Sequence, residues 1–185
     1  IVVDGLSDDT FTIHQDQRDT RDPWFYWYFR ARGAEERRLT FHFSQGKVIG
    51  PRGPAVSRDG GQTWRWFERG EASDSFTYAF ARDDVEVRFC FGIPYLESHL
   101  KDFLTARADN PHLAAEVLCQ TKKSRPVERL RVGRLQGDAP LRVLLTARHH
   151  ACEMSANYVL EGVIDAILAE TREGDWLREQ VEFWI

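Results

Sequence analysis

Two residues in one short polar stretch have the types and the spacing for metal chemistry. In LRVLLTARHHACE, Leu141 to Glu153, His150 and Glu153 stand three residues apart. At H-x-x-E spacing a tight turn or a first helical turn brings an imidazole nitrogen and a carboxylate oxygen to one side. Zinc favours that donor pair, and a catalytic zinc uses three protein ligands and keeps one position for water. Such a metal polarises a carbonyl and lowers the pKa of its water toward about 7. A structural reading competes: both residues cap the helix that follows, with Glu153 favoured by the helix dipole. Spacing alone leaves the two readings open. His149 is a different case, because adjacent side chains in extended backbone point to opposite sides. It is read as a residue behind the ligand or on the surface. Arg148 is placed either to hold an anionic substrate group near the metal or to form a salt bridge. Cys152 has the chemistry of a soft ligand or a thiol nucleophile, but a plain buried cysteine is the simpler reading.

The elements that must position this stretch are a strand before it and a helix after it. Leu141 to Thr146 reads as a short strand of the buried kind found in α/β sheets. From Met154 to about Glu170, Val159, Leu160, Val163, Ile164, Ile167 and Leu168 recur at i, i+3, i+4, which predicts a helix with one core face. Gly174 is expected to end it, with a single further turn over Asp175 to Arg178. Val181 to Ile185, VEFWI, reads as the next strand, and strand, helix and strand in this order predict a βαβ unit. Ligands of open α/β sheets collect outside the carboxyl ends of the strands, where ARHHACE lies.

Upstream of this unit, Pro94 is expected to start a helix that turns Leu96, Leu100, Phe103 and Leu104 to one face. Asn110-Pro111 reads as a second helix start. His99 and His112 fall in these stretches as surface or capping residues. Strands near Val117 to Thr121 and Val127 to Val132 flank the basic turn KKSR. Lys122, Lys123 and Arg125 there read as a solvated hairpin tip.

Residues 1–93 read as all-β. Thr10 to Ile13 is a short strand. The unbroken aromatic run WFYWYFR, Trp24 to Arg30, predicts a central strand covered on both faces, with an aromatic platform for sugars or bases as the alternative. Leu39, Phe41 and Phe43 alternate with Thr40, His42 and Ser44, which puts His42 on the outward side. Gly46 to Pro54 must be loop. SRDGGQTW, Ser57 to Trp64, is a compact turn. Phe76 to Phe80 and Val85 to Phe91 are expected to pair around ARDD, with Val85, Val87, Phe89 and Phe91 facing one way. Helical periodicity is missing before Pro94, so an antiparallel β-sandwich is predicted for 1–93 and the start of an α/β domain for 94–185.

The totals narrow the function classes. Among 185 residues, 42% are hydrophobic and 29% charged, a globular rather than a disordered composition. A net charge of −4 gives no reason to expect nucleic acid or an anionic membrane as partner. Apolar runs fall short of the roughly 18 residues of a membrane span. Three cysteines, without C-x-x-C spacing, cannot all pair, which points to a reduced, cytoplasmic setting. A parallel sheet with one helix leaves most of its surface uncovered, so the sequence is expected to be cut from a longer one.

The run LRVLLTARHHACEMSANYVLEGVIDAIL resembles the zinc-binding segment of the zinc metallocarboxypeptidases, specifically the cytosolic carboxypeptidase branch. That branch carries a pattern close to A-R-x-H-P-G-E. Ala147, Arg148, His150 and Glu153 match it, and Gly162 matches the aliphatic-x-G of the helix that follows it there, while Ala151 and Cys152 replace the Pro-Gly, an exchange that removes no ligand. WFYWYFRARG, SRDGGQTW and IPYLESHL are similar to pieces of the β-sandwich that precedes the peptidase domain in this branch. The resemblance implies Zn2+, hydrolysis of the C-terminal bond of a peptide or protein tail, and His150 and Glu153 as the first two zinc ligands. It also implies a third histidine ligand and a general-base glutamate further downstream. The last histidine in the sequence is His150, so the third ligand is missing; no residue is assigned as catalytic base either, and the chain alone is not expected to be a competent peptidase. Two other classes compete: an inactive interaction domain of the same fold, and a glycan-binding β module. The second rests on Ser57, Asp59, Gly61, Thr63 and Trp64, which fit the S-x-D-x-G-x-T-W Asp-box. A propeller would repeat that box, and this sequence carries it once.

Overall fold

The computed structural model describes every residue except 19, 21, 23, 68 and 69. The described residues are mostly β, with three four-stranded sheets and three helices. They divide into two compact units, Ile1–Pro94 and Tyr95–Ile185.

The first unit contains β1 (Val2–Ser7), β2 (Thr10–His14), β3 (Tyr28–Arg32), β4 (Arg38–Phe43), β5 (Ala55–Ser57), β6 (Arg65–Trp66), β7 (Ser75–Ala79) and β8 (Glu86–Cys90). Its sheets run β1-β2-β4-β7 and β3-β8-β5-β6. They share one core: Ile13, Leu39, Phe41, Phe43, Phe76 and Tyr78 from the first meet Val56, Val87 and Phe89 from the second. The alternation read at Leu39, Phe41 and Phe43 is present, with all three buried. Phe89 has no exposed surface, and its ring centroid lies 5.1–5.5 Å from those of Phe29, Phe41, Phe76 and Tyr78. Tilted and edge-on rings at such distances add attraction beyond area burial.

Four expectations for this unit need correction. The strands β7 and β8 do not form a hairpin. β7 pairs with β4, and β8 pairs with β3 and β5. A hairpin would set Phe76 and Phe89 side by side in one sheet, whereas opposite sheets let them face each other at 5.2 Å. The turn between them is pinned by Asp84, a buried carboxylate that accepts from the Ala81 N–H at 2.8 Å and from Arg58. Val85, expected inward, is exposed on that turn. The aromatic run is not a central strand either. Regular pairing starts at Tyr28, and β3 is an edge strand. Trp27 enters the core and donates its indole N–H to the Val48 carbonyl at 2.9 Å, while Trp24 and Phe25 stack on each other at 4.9 Å on the exposed side. The unit is also not wholly antiparallel, because β2 and β4 run parallel.

The second unit contains α1 (Glu97–Thr105), β9 (Leu113–Gln120), β10 (Pro126–Gly133), β11 (Leu141–Leu144), α2 (Ser155–Leu168), α3 (Arg172–Gln180) and β12 (Val181–Trp184). The sheet order is β11-β12-β10-β9, with β11 and β12 parallel and the other pairs antiparallel. Leu130, Val132, Val181 and Phe183 on one face pack with Phe103 of α1 and with Ile164 and Ile167 of α2.

Here too the sequence reading shifts in places. Asn110-Pro111 starts a turn and not a helix: Asn110 Oδ1 accepts from the His112 N–H at 2.9 Å, and β9 begins at Leu113. A proline-fixed φ suits a turn as well as a helix start, and the following residues find a β partner in β10. Leu141 to Thr146 is not buried throughout. β11 is an edge strand, so Val143 and Leu145 pack inward while Leu144 is 70% exposed. Val159 of α2 is 65% exposed rather than on the core face. Gly174 does not end α2, which stops at Leu168. It lies in the first turn of α3, where its N–H donates to Thr171 Oγ1 at 3.1 Å. A Cβ on Gly174 would sit 2.2 Å from the Ala169 carbonyl oxygen, which explains the glycine.

The other face of this sheet carries charge. Glu182, only 5% exposed, accepts from Arg131 Nε at 2.7 Å and Arg142 Nε at 3.4 Å, so three adjacent strands are tied by one carboxylate. The Trp184 side chain, then Arg131, hold its pKa below the ordinary carboxylate value of 4.5.

Replacing Phe89 with Ala should lower the stability of the first unit by about 3–5 kcal/mol, the usual loss for a fully buried aromatic, measured by urea unfolding followed through tryptophan fluorescence. Glu182 should make the second unit acid-sensitive. A depressed folded pKa stabilises above the unfolded value near 4.5 and is lost as pH falls through the folded value. Thermal midpoints between about pH 7 and pH 3 should therefore fall less steeply in Glu182→Gln than in wild type, from a lower starting value.

Candidate metal centre

The turn that carries the candidate ligands leaves the carboxyl end of β11. Pairing with β12 extends one step further, since the Leu145 N–H donates to the Trp184 carbonyl at 2.8 Å. The backbone then turns sharply at Arg148, whose φ is +59°. A non-glycine residue in this left-handed region carries roughly 1–3 kcal/mol of strain and persists only where its surroundings enforce it.

His150 and Glu153 are joined through their backbones. The Glu153 N–H donates to the His150 carbonyl at 3.1 Å, and the His150 N–H donates to Glu153 Oε2 at 3.1 Å. This reciprocal closure resembles a capping box turned onto the loop itself. It differs from the helix-capping alternative. α2 has no side-chain cap at Met154, and its first amides are taken by backbone: Ala156 N–H by the Glu153 carbonyl, Asn157 N–H by that of Met154. Both His150 and Glu153 are exposed, as is His149, and Cys152 is half-buried.

The guanidinium of Arg148 faces backbone oxygens. Nη1 donates to the Tyr95 carbonyl at 2.6 Å and Nη2 to the Ala151 carbonyl at 3.3 Å. Tyr95 is itself held: its hydroxyl donates to Glu161 Oε1 at 2.7 Å, and Tyr158 meets its ring edge-on at 5.1 Å. Burial, followed by the neighbouring Glu161 carboxylate, pushes the Tyr95 phenol well up. A cavity of about 360 Å³ opens here, lined among others by Tyr95, Phe103, Leu130, Arg148, Asn157 and Glu161. Sequence reasoning missed Tyr95 and Glu161. Tyr95 precedes α1 outside any periodic pattern, and Glu161 reads as an ordinary polar residue on a helix.

The donor chemistry of His150 and Glu153 fits two positions of a zinc shell. Among the described residues, no group of three or more His, Cys, Asp and Glu side chains is gathered closely enough to hold a metal ion. His99 and His112 serve other ends: His99 Nδ1 accepts from the Leu96 N–H at 2.8 Å, and His112 Nδ1 lies 3.1 Å from the Gly133 carbonyl.

The Asp-box turn is built from its own residues. Asp59 accepts from Ser57 Oγ at 2.8 Å and from the backbone N–H groups of Gln62 and Thr63 at 2.9–3.0 Å. Bonds from Thr63, then Ser57, hold this carboxyl well below the usual range. Gly60 and Gly61 supply φ of +76° and +93° for the turn. Asp59 is thus committed to closing a loop.

Neither the protein-family models nor the curated protein sequences give a match. Solved structures do. The metallo-carboxypeptidase from Burkholderia cenocepacia matches 99% of this chain with a TM-score of 0.76 at 21% identity. The metallo-carboxypeptidase from Pseudomonas aeruginosa, solved in complex with (2-guanidinoethylmercapto)succinic acid, matches 98% with a TM-score of 0.75 at 21% identity. The fold is metallo-carboxypeptidase-like. The chain spans about half the length of these structures, 51% and 50%. Within this carboxypeptidase-like fold, the H-x-x-E turn lies between β11 and α2, at the end of the sheet where α/β proteins place their ligands.

The three thiols differ enough to be told apart. Cys119 is exposed, Cys152 is half-buried, and Cys90 is fully buried with its thiol pushed up to about 11 by desolvation. A colorimetric thiol reagent at neutral pH should react fast with Cys119, more slowly with Cys152, and with Cys90 only on unfolding. Loss of the slow phase in Cys152→Ser checks the assignment.

Proposed function

We propose that this chain is the N-terminal part of a zinc-dependent metallocarboxypeptidase of the cytosolic carboxypeptidase branch, which hydrolyses the C-terminal bond of peptides or protein tails. The observation that carries the reading is the reciprocal bonding of His150 and Glu153 at the carboxyl end of β11. His150 and Glu153 would hold Zn2+. When bound, zinc supplies a Lewis acid for the scissile carbonyl and a water of lowered pKa. This chain's own contribution is orientation. The bond from the His150 N–H holds the Glu153 carboxylate beside the histidine, so less freedom is lost on binding. Both side chains are exposed, which leaves room for a peptide end. By the family resemblance, the third ligand and the general base would come from a downstream segment. The carboxypeptidase-like fold over half the length of the solved structures supports that division.

The partner in this reading is a peptide or protein C-terminus, not nucleic acid or membrane. No helix among the described residues is long and apolar enough to cross a membrane. The cytoplasmic assignment rests on Cys90, Cys119 and Cys152, none of which forms a disulfide.

Metal analysis of the intact protein should find about one zinc per chain, falling to background in His150→Ala and Glu153→Ala. The wild type should release C-terminal amino acids from peptides and lose this activity with a chelator. Negligible zinc in the wild type would sink the peptidase reading and favour an interaction domain that keeps the fold.

A further inference from the structure

We infer that Arg148 is a positioning residue: its guanidinium bridges the carbonyls of Tyr95 and Ala151 and thereby sets the turn that presents His150 and Glu153. This replaces the anion-holding role read from sequence, and its metal-binding arm rests on the proposed function.

Four observations converge on it. The first is direction. Both terminal nitrogens are engaged with backbone oxygen, at 2.6 Å and 3.3 Å, and one of those oxygens belongs to Ala151, inside the H-x-x-E segment. The second is backbone shape. Arg148 sits at φ +59°, a conformation that L residues rarely adopt, and its own side-chain bonds to two carbonyls are the visible reason for it. The third is the anchor. Tyr95 is buried and fixed at its hydroxyl by Glu161 of α2, so its carbonyl is a rigid acceptor. Arg148 therefore ties the loop to the start of α1, while Glu161 ties the same tyrosine to α2. The fourth is chemistry. A guanidinium offers a planar fork of donors that two separate carbonyls can share, whereas a lysine ammonium is a single point charge. Groups that orient metal ligands in this way typically change metal affinity about 10–100-fold when replaced.

Backbone hydrogen exchange in metal-free intact protein tests the inference without recourse to activity. In Arg148→Lys and Arg148→Ala, amides of residues 149–153 should exchange at least about tenfold faster than in wild type, while those of β10 and β12 keep their wild-type rates. Lysine should fail to rescue. Cobalt(II), used as a spectroscopic probe, should bind about 10–100-fold more weakly in both variants, with altered visible absorption. If Arg148→Ala does not fold, Arg148→Lys carries the test. Wild-type exchange in both variants, or full rescue by lysine, overturns the positioning role. A rise in KM for peptides with exchange and cobalt affinity unchanged also overturns it, in favour of an anion clamp. A wild type that binds no cobalt removes the metal reading alone, and the exchange rates still decide the role of Arg148.

Discussion

The parallel register of β11 against β12 is the constraint on which the second unit depends. Leu141, Arg142, Val143 and Leu144 lie opposite Val181, Glu182, Phe183 and Trp184. Parallel neighbours need a long crossover, and α2 and α3 supply it. The crossover covers one face only, and the pairing respects that asymmetry. Val143, Val181 and Phe183 point to the helices, and Arg142 meets Glu182 on the other side. A slip of one residue would carry Glu182 into the apolar layer and Phe183 out of it. The register in turn decides where β11 ends, and hence where the His150–Glu153 turn begins.

That turn departs from local rules. Its arginine is in the left-handed region, and its carboxylate bonds to a backbone amide within its own loop instead of capping the helix. Sequences that fold well are consistent from level to level, and departures concentrate where function requires a shape that propensity does not favour. The aliphatic side of α2 and the anchored Tyr95 provide the rigid frame that lets such a turn persist.

Much of this was legible in the sequence where pattern and burial coincide. The Leu39, Phe41 and Phe43 strand, the KKSR hairpin, the α2 helix and the parallel pairing of the strands around it follow from periodicity and order. The failures share a cause: each turned on a contact that residue type and spacing do not name. Phe76 and Phe89 look like a hairpin because they are close in sequence, yet their rings are better covered across a sandwich than along one sheet. Gly174 looks like a stop because glycine often is one, but here it admits the Ala169 carbonyl. The candidate site was legible as a pair of residue types at a spacing. Its support was not, because Tyr95 and Glu161 are 53 and 13 positions from Arg148 (148 − 95 and 161 − 148), and no local pattern connects them.

How a carboxylate is engaged bears on where chemistry belongs in the two units. In the first, Asp59 closes its own turn, Asp84 is enclosed by Arg58 and backbone, and Glu86 lies between Arg32 and Arg88. Each is committed to structure, and a carboxylate so engaged has little left to offer a ligand. Glu153 is bonded at one oxygen, to a backbone amide, and its side chain is exposed. A carboxylate has about four lone-pair sites, so this bond orients the group and leaves most of its accepting capacity in place. An acidic side chain that is fixed in direction and unburied, three positions from an exposed histidine, suits the metal site proposed above.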